Sequence, residues 1–259
     1  MSSLVFTLIQ THLFWEDKQA NLEMLTKKIE SIKEKTQVVI LPEMFTTGFS
    51  MQPHLYAETI DGTSVEWMKA MTQKHKIILC GSIIIEENDN YYNRLIWALP
   101  NGNLGFYDKR HCFRYGGEDK HYTAGNKKLI AQVNGFKINL QICYDLRFPV
   151  WARQEKNNLY DILIYVANWP EKRNYAWKSL LVARAIENQC YVIAVNRVGV
   201  DGNNINHNGD SMIISPLGEI VYHKAFDEDI FTFTIDKKVI DEIREQFPFW
   251  KDVDDFFIK

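Results

Sequence analysis

Four apolar runs in this chain end in residues able to do chemistry, and one of those residues is a cysteine. In "NLQICYDLRFPVWAR", Asn139 to Arg153, the run stops at Cys143. Tyr144, Asp145 and Arg147 follow at once. That pattern fits a tight turn that exposes the thiol and aims the backbone N–H groups after it at a substrate oxygen. Asp145 and Arg147 are spaced to pair and hold the turn. A free thiol has a pKa of about 8.5 and is a poor nucleophile while protonated, so it needs a base. "VVILPEMF" offers one. Glu43 follows Val38–Leu41 and Pro42, at what reads as the carboxyl end of a strand, where ligands of α/β sheets gather. Apolar Met44 and Phe45 beside it would partly desolvate the carboxylate, which suits a general acid or base. "GFYDKRHCFRYGGEDKHYTAG" supplies Lys109 after an aromatic segment and Glu118 after a Gly-Gly turn. A lysine held by a carboxylate can stabilise negative charge developing on oxygen. In "IYVANWPEKRNYAW", Asn168 and Trp169 leave an apolar run that Pro170 stops, and Arg173 follows. Trp169 and Arg173 suit a pocket wall and a carboxylate clamp.

Each stretch taken alone also fits an ordinary structural role. Glu43 could open a surface loop. Lys109, Arg110, Arg114 and Lys120 are typical of a solvated basic loop, and Arg173 fits a solvent-exposed arginine equally well. Burial is the common fate of free cysteines; what distinguishes Cys143 is its place before a polar turn. Two other chemistries compete. A cysteine–histidine hydrolase would use His111 or His121 as the partner of the thiol. A metal-dependent phosphoesterase would cast Glu43, Asn168, Asp210 and His207 as Mg²⁺ ligands and base. Against the latter, the chain has no terminal Ser-Asp-His-type cluster, and its charge is not basic. A scaffold that had lost its chemistry would not be expected to keep Glu43, Lys109 and Cys143 together.

The elements that must carry these residues alternate between strand and helix. Buried strands are predicted at Leu4–Gln10, Gln37–Leu41, Ile77–Ile85, Asn93–Leu99, Phe136–Ile142, Ile162–Ala167, Tyr191–Asn196, Met212–Ile214 and Ile230–Ile235. Gln19–Lys35 has Leu22, Leu25, Ile29 and Ile32 on one face, the pattern of an amphipathic helix. Ser64–Lys74 and Tyr175–Asn188 read the same way. Hairpins are predicted where Ile77–Ile85 meets Asn93–Leu99 and where Met212–Ile214 meets Glu219–Tyr222, with breaks at Glu87–Asn90 and Pro216–Gly218. The class is therefore α/β with mixed sheets. No Pro/Gly/Ser-rich linker divides the chain, so a single domain over 1–259 is expected, with 237–259 as an aromatic C-terminal extension suited to a subunit interface or to its own domain.

The totals exclude several classes. The chain has 259 residues, 46% of them hydrophobic and 24% charged, enough for a large core. The net charge of −3 gives no electrostatic case for nucleic acid or an anionic membrane. There is no apolar run of about 18 residues and no basic, cleavable leader, so a cytoplasmic protein is expected. The four cysteines, Cys80, Cys112, Cys143 and Cys190, lie more than 30 residues apart, which disfavours a zinc ribbon or a CxxC redox site. Cys80 and Cys190 read as core thiols. His12, His54, His75 and His223 have no ligand-like spacing.

Taken together and in order, "LPEM", "YDKRHCF", "ICYDLRFP", "ANWP", "ARAIEN", "NRVG" and "GDSMIISPLGEI" resemble the nitrilase superfamily of carbon–nitrogen hydrolases, over Leu4 to about Asp236. "ANWPEKRNYAWKSLLVARAIENQCYVIAVNRVGVDG" is most similar to its omega-amidase branch. The resemblance implies a four-layer α-β-β-α sandwich with two mixed sheets, hydrolysis of a terminal amide, no metal or other cofactor, and a homodimer or larger homo-oligomer. It implies Glu43, Lys109 and Cys143 as the catalytic set, with Glu118 as a second glutamate. Cys112 departs from the bulky aliphatic residue more usual after "DKRH", placing another thiol near the site. By position, Tyr144 would supply an oxyanion N–H. Arg173 would take a substrate carboxylate, and Phe45, Tyr115, Phe148 and Trp169 would form apolar walls. Short 2-oxo dicarboxylic acid monoamides are the implied substrates.

Overall fold

The computed structural model describes residues 2–258. Its strands are β1 (Ser3–Gln10), β2 (Val38–Ile40), β3 (Ile78–Glu87), β4 (Asn90–Ala98), β5 (Leu104–Asp108), β6 (Leu129–Val133) and β7 (Phe136–Ile142) in the first half. β8 (Ile162–Ala167), β9 (Tyr191–Asn196), β10 (Val198–Val200), β11 (Asn206–Ile214), β12 (Ile220–Ala225) and β13 (Asp229–Asp236) complete the set. The helices are α1 (Lys18–Glu30), α2 (Pro53–Tyr56), α3 (Thr63–His75), α4 (Pro149–Ala152), α5 (Asn174–Asn188) and α6 (Lys237–Gln246).

Two mixed sheets form. One has the order β13-β1-β2-β3-β4-β5; the other runs β10-β11-β9-β8-β7-β6, with β12 paired to β11. Within them β1, β2 and β3 are parallel, as are β7, β8 and β9. The two-residue period of a strand decides which core each side chain enters. In β2, Val38 and Ile40 face the core shared with the second sheet, while Val39 faces α1 and α3. Leu22, Leu25 and Ile29 of α1 and Val65, Met68 and Met71 of α3 cover that outer face. Trp177, Leu181 and Ala185 of α5 join the core of the second sheet. The result is the four-layer α-β-β-α sandwich expected from the sequence.

Several elements differ from the sequence reading, among them β11, which begins at Asn206 rather than Met212. α1 stops at Glu30 rather than Lys35, because the Ser31 hydroxyl donates to the Lys28 carbonyl and closes the last turn. β5 and β6 were not anticipated; each is short and only partly buried, so neither shows a clear apolar run. The segment after Ile235 is a helix, α6, capped by Asp236 on the Lys238 N–H. Ile240 of α6 enters the main core, and Arg244 meets Asp161 at 3.2 Å. Among the described residues no helix is long and apolar enough to cross a membrane.

The parallel strands β2, β7 and β8 end at one edge of the stacked sheets. Glu43 follows β2, Cys143 follows β7, and Asn168 follows β8. This edge is where an α/β fold leaves room for a ligand.

Candidate active site

Glu43 sits in a loop pinned to β3. The Met44 N–H donates to the Ser82 hydroxyl at 2.9 Å, and the Phe45 N–H donates to the Ser82 carbonyl at 3.1 Å. Lys109 follows β5, and its N–H donates to the Asn93 carbonyl at 3.0 Å. Glu118 begins a 3-10 turn just after Gly117, whose φ of 79° is left-handed, as the Gly-Gly signal suggested. These three side chains meet in the interior. Lys109 Nζ donates to Glu43 Oε1 at 2.8 Å and to both oxygens of Glu118 at 3.0 and 2.9 Å. All three side chains are at most 1% exposed.

Asn93 completes the cluster. Its Nδ2 donates to Glu43 Oε1 at 2.8 Å and to Glu118 Oε1 at 3.2 Å, so one amide group bridges both carboxylates. Sequence reasoning missed it. The available signal was a polar residue at the head of the predicted strand Asn93–Leu99. Glu43 Oε2 accepts the Asn168 N–H at 2.8 Å, and Asn168 Nδ2 donates to the Glu43 carbonyl. An ionised carboxylate offers about four acceptor sites. Three are filled in Glu43, and the free one is on Oε2.

Cys143 opens a 3-10 turn, Cys143–Arg147, with φ at +43°, a left-handed conformation rare outside glycine. Such strain is of order 1–3 kcal/mol and persists only when neighbouring structure enforces it. Asp145 does so: its Oδ2 accepts the Ile142 N–H at 3.0 Å and the Tyr107 hydroxyl at 2.7 Å. Asp145 therefore does not pair with Arg147, contrary to the sequence expectation. Arg147 instead lies 4.9 Å from the centre of the Trp169 ring.

The electrostatics follow from burial and charge. Burial pushes the Cys143 thiol well above its ordinary value, the Glu43 carboxylate adds to that, and Lys109 opposes it. Burial alone would push the Lys109 ammonium down, but Glu118 and Glu43 more than offset it and hold it well above the usual lysine range. Burial raises Glu118, with Glu43 adding and Lys109 opposing. The resting site is thus a protonated thiol over a buried Lys⁺ shared between two glutamates.

A cavity of about 120 Å³ opens onto Cys143 and Lys109, lined also by Phe49, Phe113, Tyr144, Arg147, Asn168, Trp169, Arg173 and His207. Tyr144, Trp169 and Arg173 stand where the sequence placed them. Three other wall assignments are corrected. Phe45 is fully buried on the helix side of the first sheet, against Trp67, under Gly81, where an added Cβ would meet its ring at 2.7 Å. Tyr115 is 87% exposed and does not line the cavity. Phe148 stacks on His111 at 3.8 Å, outside the lining. The apolar walls come instead from Phe49, Met51 and Phe113, which lie on loops whose path spacing does not reveal.

The competing chemistries lose their geometry. His111 Nδ1 lies 2.8 Å from Asp145 Oδ1, and His121 is on the surface; neither lines the cavity. Asp210 pairs with His223 and Asn208, while Asn168 serves Glu43. Cys112 is half-buried beside the Tyr122 carbonyl, and burial pushes its thiol up to about 12, with Glu118 adding. Cys80 and Cys190 are core thiols, raised by burial.

Residues 6–245 match the family model described as carbon-nitrogen hydrolase. The chain belongs to the carbon–nitrogen hydrolase family. It is 43% identical to the omega-amidase YafV of Escherichia coli K12, over 99% of both chains. It is 33% identical to a 2-oxoglutaramate amidase of Bacillus subtilis, over 95% of both. Among solved structures, a CN-hydrolase superfamily protein from Xanthomonas campestris with an arsenic adduct in its active site matches with a TM-score of 0.96, at 40% identity over the full length of both chains.

Proposed function

We propose that this carbon–nitrogen hydrolase is an omega-amidase, cleaving the terminal amide of short 2-oxo dicarboxylic acid monoamides such as 2-oxoglutaramate and 2-oxosuccinamate. The observation that carries the chemistry is the buried Glu43–Lys109–Glu118 cluster beside Cys143 at the cavity floor. The full-length likeness to omega-amidase YafV and to the 2-oxoglutaramate amidase supports the substrate class.

The chemistry runs in two halves. The Cys143 thiol gives its proton to Glu43 Oε2 as its sulfur attacks the amide carbon. Proton transfer and attack are concerted, because the buried thiol does not ionise on its own near neutral pH. The amide carbonyl becomes an oxyanion, held by the Lys109 ammonium and the Tyr144 N–H. Glu43 returns the proton to nitrogen, the C–N bond breaks, and ammonia leaves a Cys143 thioester. Glu43 then takes a proton from water, whose oxygen attacks the thioester. The second tetrahedral intermediate expels the sulfur, which recovers its proton from Glu43, and the acid departs. Glu118 holds Lys109 in place throughout. Arg173 takes the carboxylate at the far end of the substrate, and Trp169 and Tyr144 bound its chain.

The test is ammonia release from 2-oxoglutaramate, 2-oxosuccinamate, glutamine and a simple nitrile by the wild type and by Cys143→Ala. Rapid release from the two 2-oxo amides, lost in the variant, is the expected result. No release from any of them, with Cys143 still alkylated by iodoacetamide, would keep a thiol hydrolase and sink the omega-amidase reading.

A further inference from the structure

Two loops that line the cavity rest on a segment that does not. Phe49 and Met51 belong to the loop after Glu43, and Asp201, Asn203 and Ile205 belong to the turn between β10 and β11. Trp15 and Glu16 lie between β1 and α1, outside the lining, yet the pair reaches both loops.

Trp15 is the wedge. A Cβ added at Gly202 would meet its indole at 2.3 Å, and one added at Gly48 would meet it at 3.1 Å. The ring therefore lies against the bare backbone of each loop, an approach that glycine permits. Gly48 precedes Phe49, and Gly202 stands between Asp201 and Asn203.

Glu16 is the latch. Its Oε1 accepts the Ser50 hydroxyl at 2.5 Å and Gln52 Nε2 at 3.1 Å, and its Oε2 accepts the Tyr56 hydroxyl at 3.0 Å. Its own N–H donates to the Thr47 carbonyl at 2.8 Å. A charged acceptor makes the side-chain bonds stronger than neutral ones. Ser50 and Gln52 turn to Glu16, while Phe49 and Met51, which alternate with them, line the cavity. Asn21 of α1 fixes the base of the segment, its amide donating to the carbonyls of Phe14 at 2.7 Å and Thr46 at 2.8 Å. The catalytic groups are pinned separately: Ser82 holds the loop at Glu43, and Asp145 holds the turn at Cys143.

We propose that Trp15 and Glu16 are positioning residues that fix the spacing of the two wall loops, and so set how tightly the cavity holds its substrate and how broad a molecule it admits to Cys143. The walls touch the substrate alike before and during the reaction. Loosening them therefore removes uniform binding, which raises KM and leaves kcat. Phe49 is the residue through which Glu16 acts, since it lines the cavity and its ring centre lies 5.1 Å from Lys109 Nζ. The kinetic part of this inference rests on the proposed reading of the cavity as the amide site.

The experiment compares wild type with Glu16→Ala, Glu16→Gln and Trp15→Phe. Glu16 is only half-buried, so Glu16→Ala leaves its donors open to water and the protein folded. The expected result for Glu16→Ala is a KM for 2-oxoglutaramate raised about tenfold, with kcat within about threefold. Glu16→Gln keeps an acceptor oxygen and Trp15→Phe keeps a flat ring, and both fall between. In a Phe49→Ala background, Glu16→Ala should add little further, because the two act as one unit. An unchanged KM, a loss confined to kcat, or full additivity with Phe49→Ala would overturn the proposal. A second readout does not need turnover. Cys143 is labelled with iodoacetamide and with the broader N-phenylmaleimide, and peptide mass separates its label from that on Cys112. Both reagents need the thiolate, so their rate ratio is independent of thiol ionisation. Glu16→Ala and Trp15→Phe should each raise the ratio of maleimide to iodoacetamide rates. A ratio unchanged in both variants overturns the clamp whatever the amide activity. A raised ratio with no 2-oxoglutaramate turnover in any form would keep the clamp and sink the omega-amidase reading.

Discussion

Asp145 Oδ1 accepts two hydrogen bonds from His111, one from its backbone N–H at 3.0 Å and one from its ring Nδ1 at 2.8 Å. Asp145 lies two residues after Cys143, and His111 lies two residues after Lys109. The pair therefore fastens the turn that carries the thiol to the loop that carries the ammonium. Asp145 Oδ2 adds the Tyr107 hydroxyl, which also accepts the indole N–H of Trp151 at 2.9 Å. Removing the Asp145 side chain leaves four donors without their acceptor in the interior. Asp145→Ala should therefore lose about 3 kcal/mol or more of stability, seen as a fall in the urea midpoint. His111→Ala removes one of those bonds and the stack on Phe148, and should retain turnover within about tenfold, as befits a positioning role. Complete loss of turnover in His111→Ala, with activity kept in Glu43→Gln, would restore the cysteine–histidine reading.

Lys109 carries two separate burdens. It faces the developing oxyanion, where one donor is worth roughly 2.7–4 kcal/mol of barrier. It also neutralises two buried carboxylates. Lys109→Met should lose about 100-fold or more in kcat, close to the loss in Cys143→Ala. Its stability should depend on pH in the same direction as the wild type's, but more steeply. Glu118 already has a raised pKa from burial and from Glu43, and Lys109 opposes that rise. Without the lysine it rises further. A carboxyl raised in the folded state binds more protons there than when unfolded, so the stability it contributes is present at acid pH and lost as pH rises through the folded pKa. Lys109→Met should be most stable near pH 4–5 and weaken toward neutrality, in urea titrations at a series of pH values. A flat profile would show that the two carboxylates do not share a proton.

How much of this was legible in the sequence depends on what spacing can encode. Glu43, Cys143 and Asn168 each stand at the end of an apolar run, which marks them as strand-end residues; their meeting depends on the stacking of two sheets, β2 in one and β7 and β8 in the other, which only the family resemblance implied. Lys109 and Glu118 needed the order of motifs as well, because they lie on loops. Side-chain direction within loops was not readable. Phe45 is two residues past Glu43, yet the left-handed φ of 42° at Met44 turns it onto the helix side of the sheet. Arg147 has an acid two residues away, and Asp145 is fully engaged by Ile142, Tyr107 and His111. Local proximity in sequence suggested an ion pair where the fold had already assigned the carboxylate. Asn93 was missed for the opposite reason: its strand looked sufficiently explained as core.

Glu43 should separate acid–base catalysis from thiol ionisation. As a charge it raises the Cys143 pKa, after burial; as a base it removes the thiol proton during attack. Glu43→Gln abolishes the second effect and relieves the first. Amide turnover should fall by about 10²–10⁴. The pH at which iodoacetamide alkylates Cys143 half-maximally should nevertheless move down relative to wild type. A variant in which that midpoint stays or rises would mean that Glu43 is not the charge that keeps the thiol protonated.

His207 predicts an acid limit to stability that is separate from catalysis. Burial first, and then Arg197, push its pKa down to about 4, with Asp201 and the carbonyls of Ile205 and Gly199 opposing. An unfolded histidine titrates near 6.5. Between those values the unfolded chain binds a proton that the folded chain refuses, so stability contributed by neutral His207 is full above about pH 6.5 and is lost as pH falls toward 4. The loss is of order 3 kcal/mol at full extent. His207→Gln should remove that part of the acid sensitivity: its urea midpoint should drop less than the wild type's between pH 7 and pH 4.5. His12, also lowered by burial, contributes in the same direction and remains in both proteins, so the comparison isolates His207. An equal drop in both would mean that His207 is already protonated, or becomes so without cost, in the folded cavity wall.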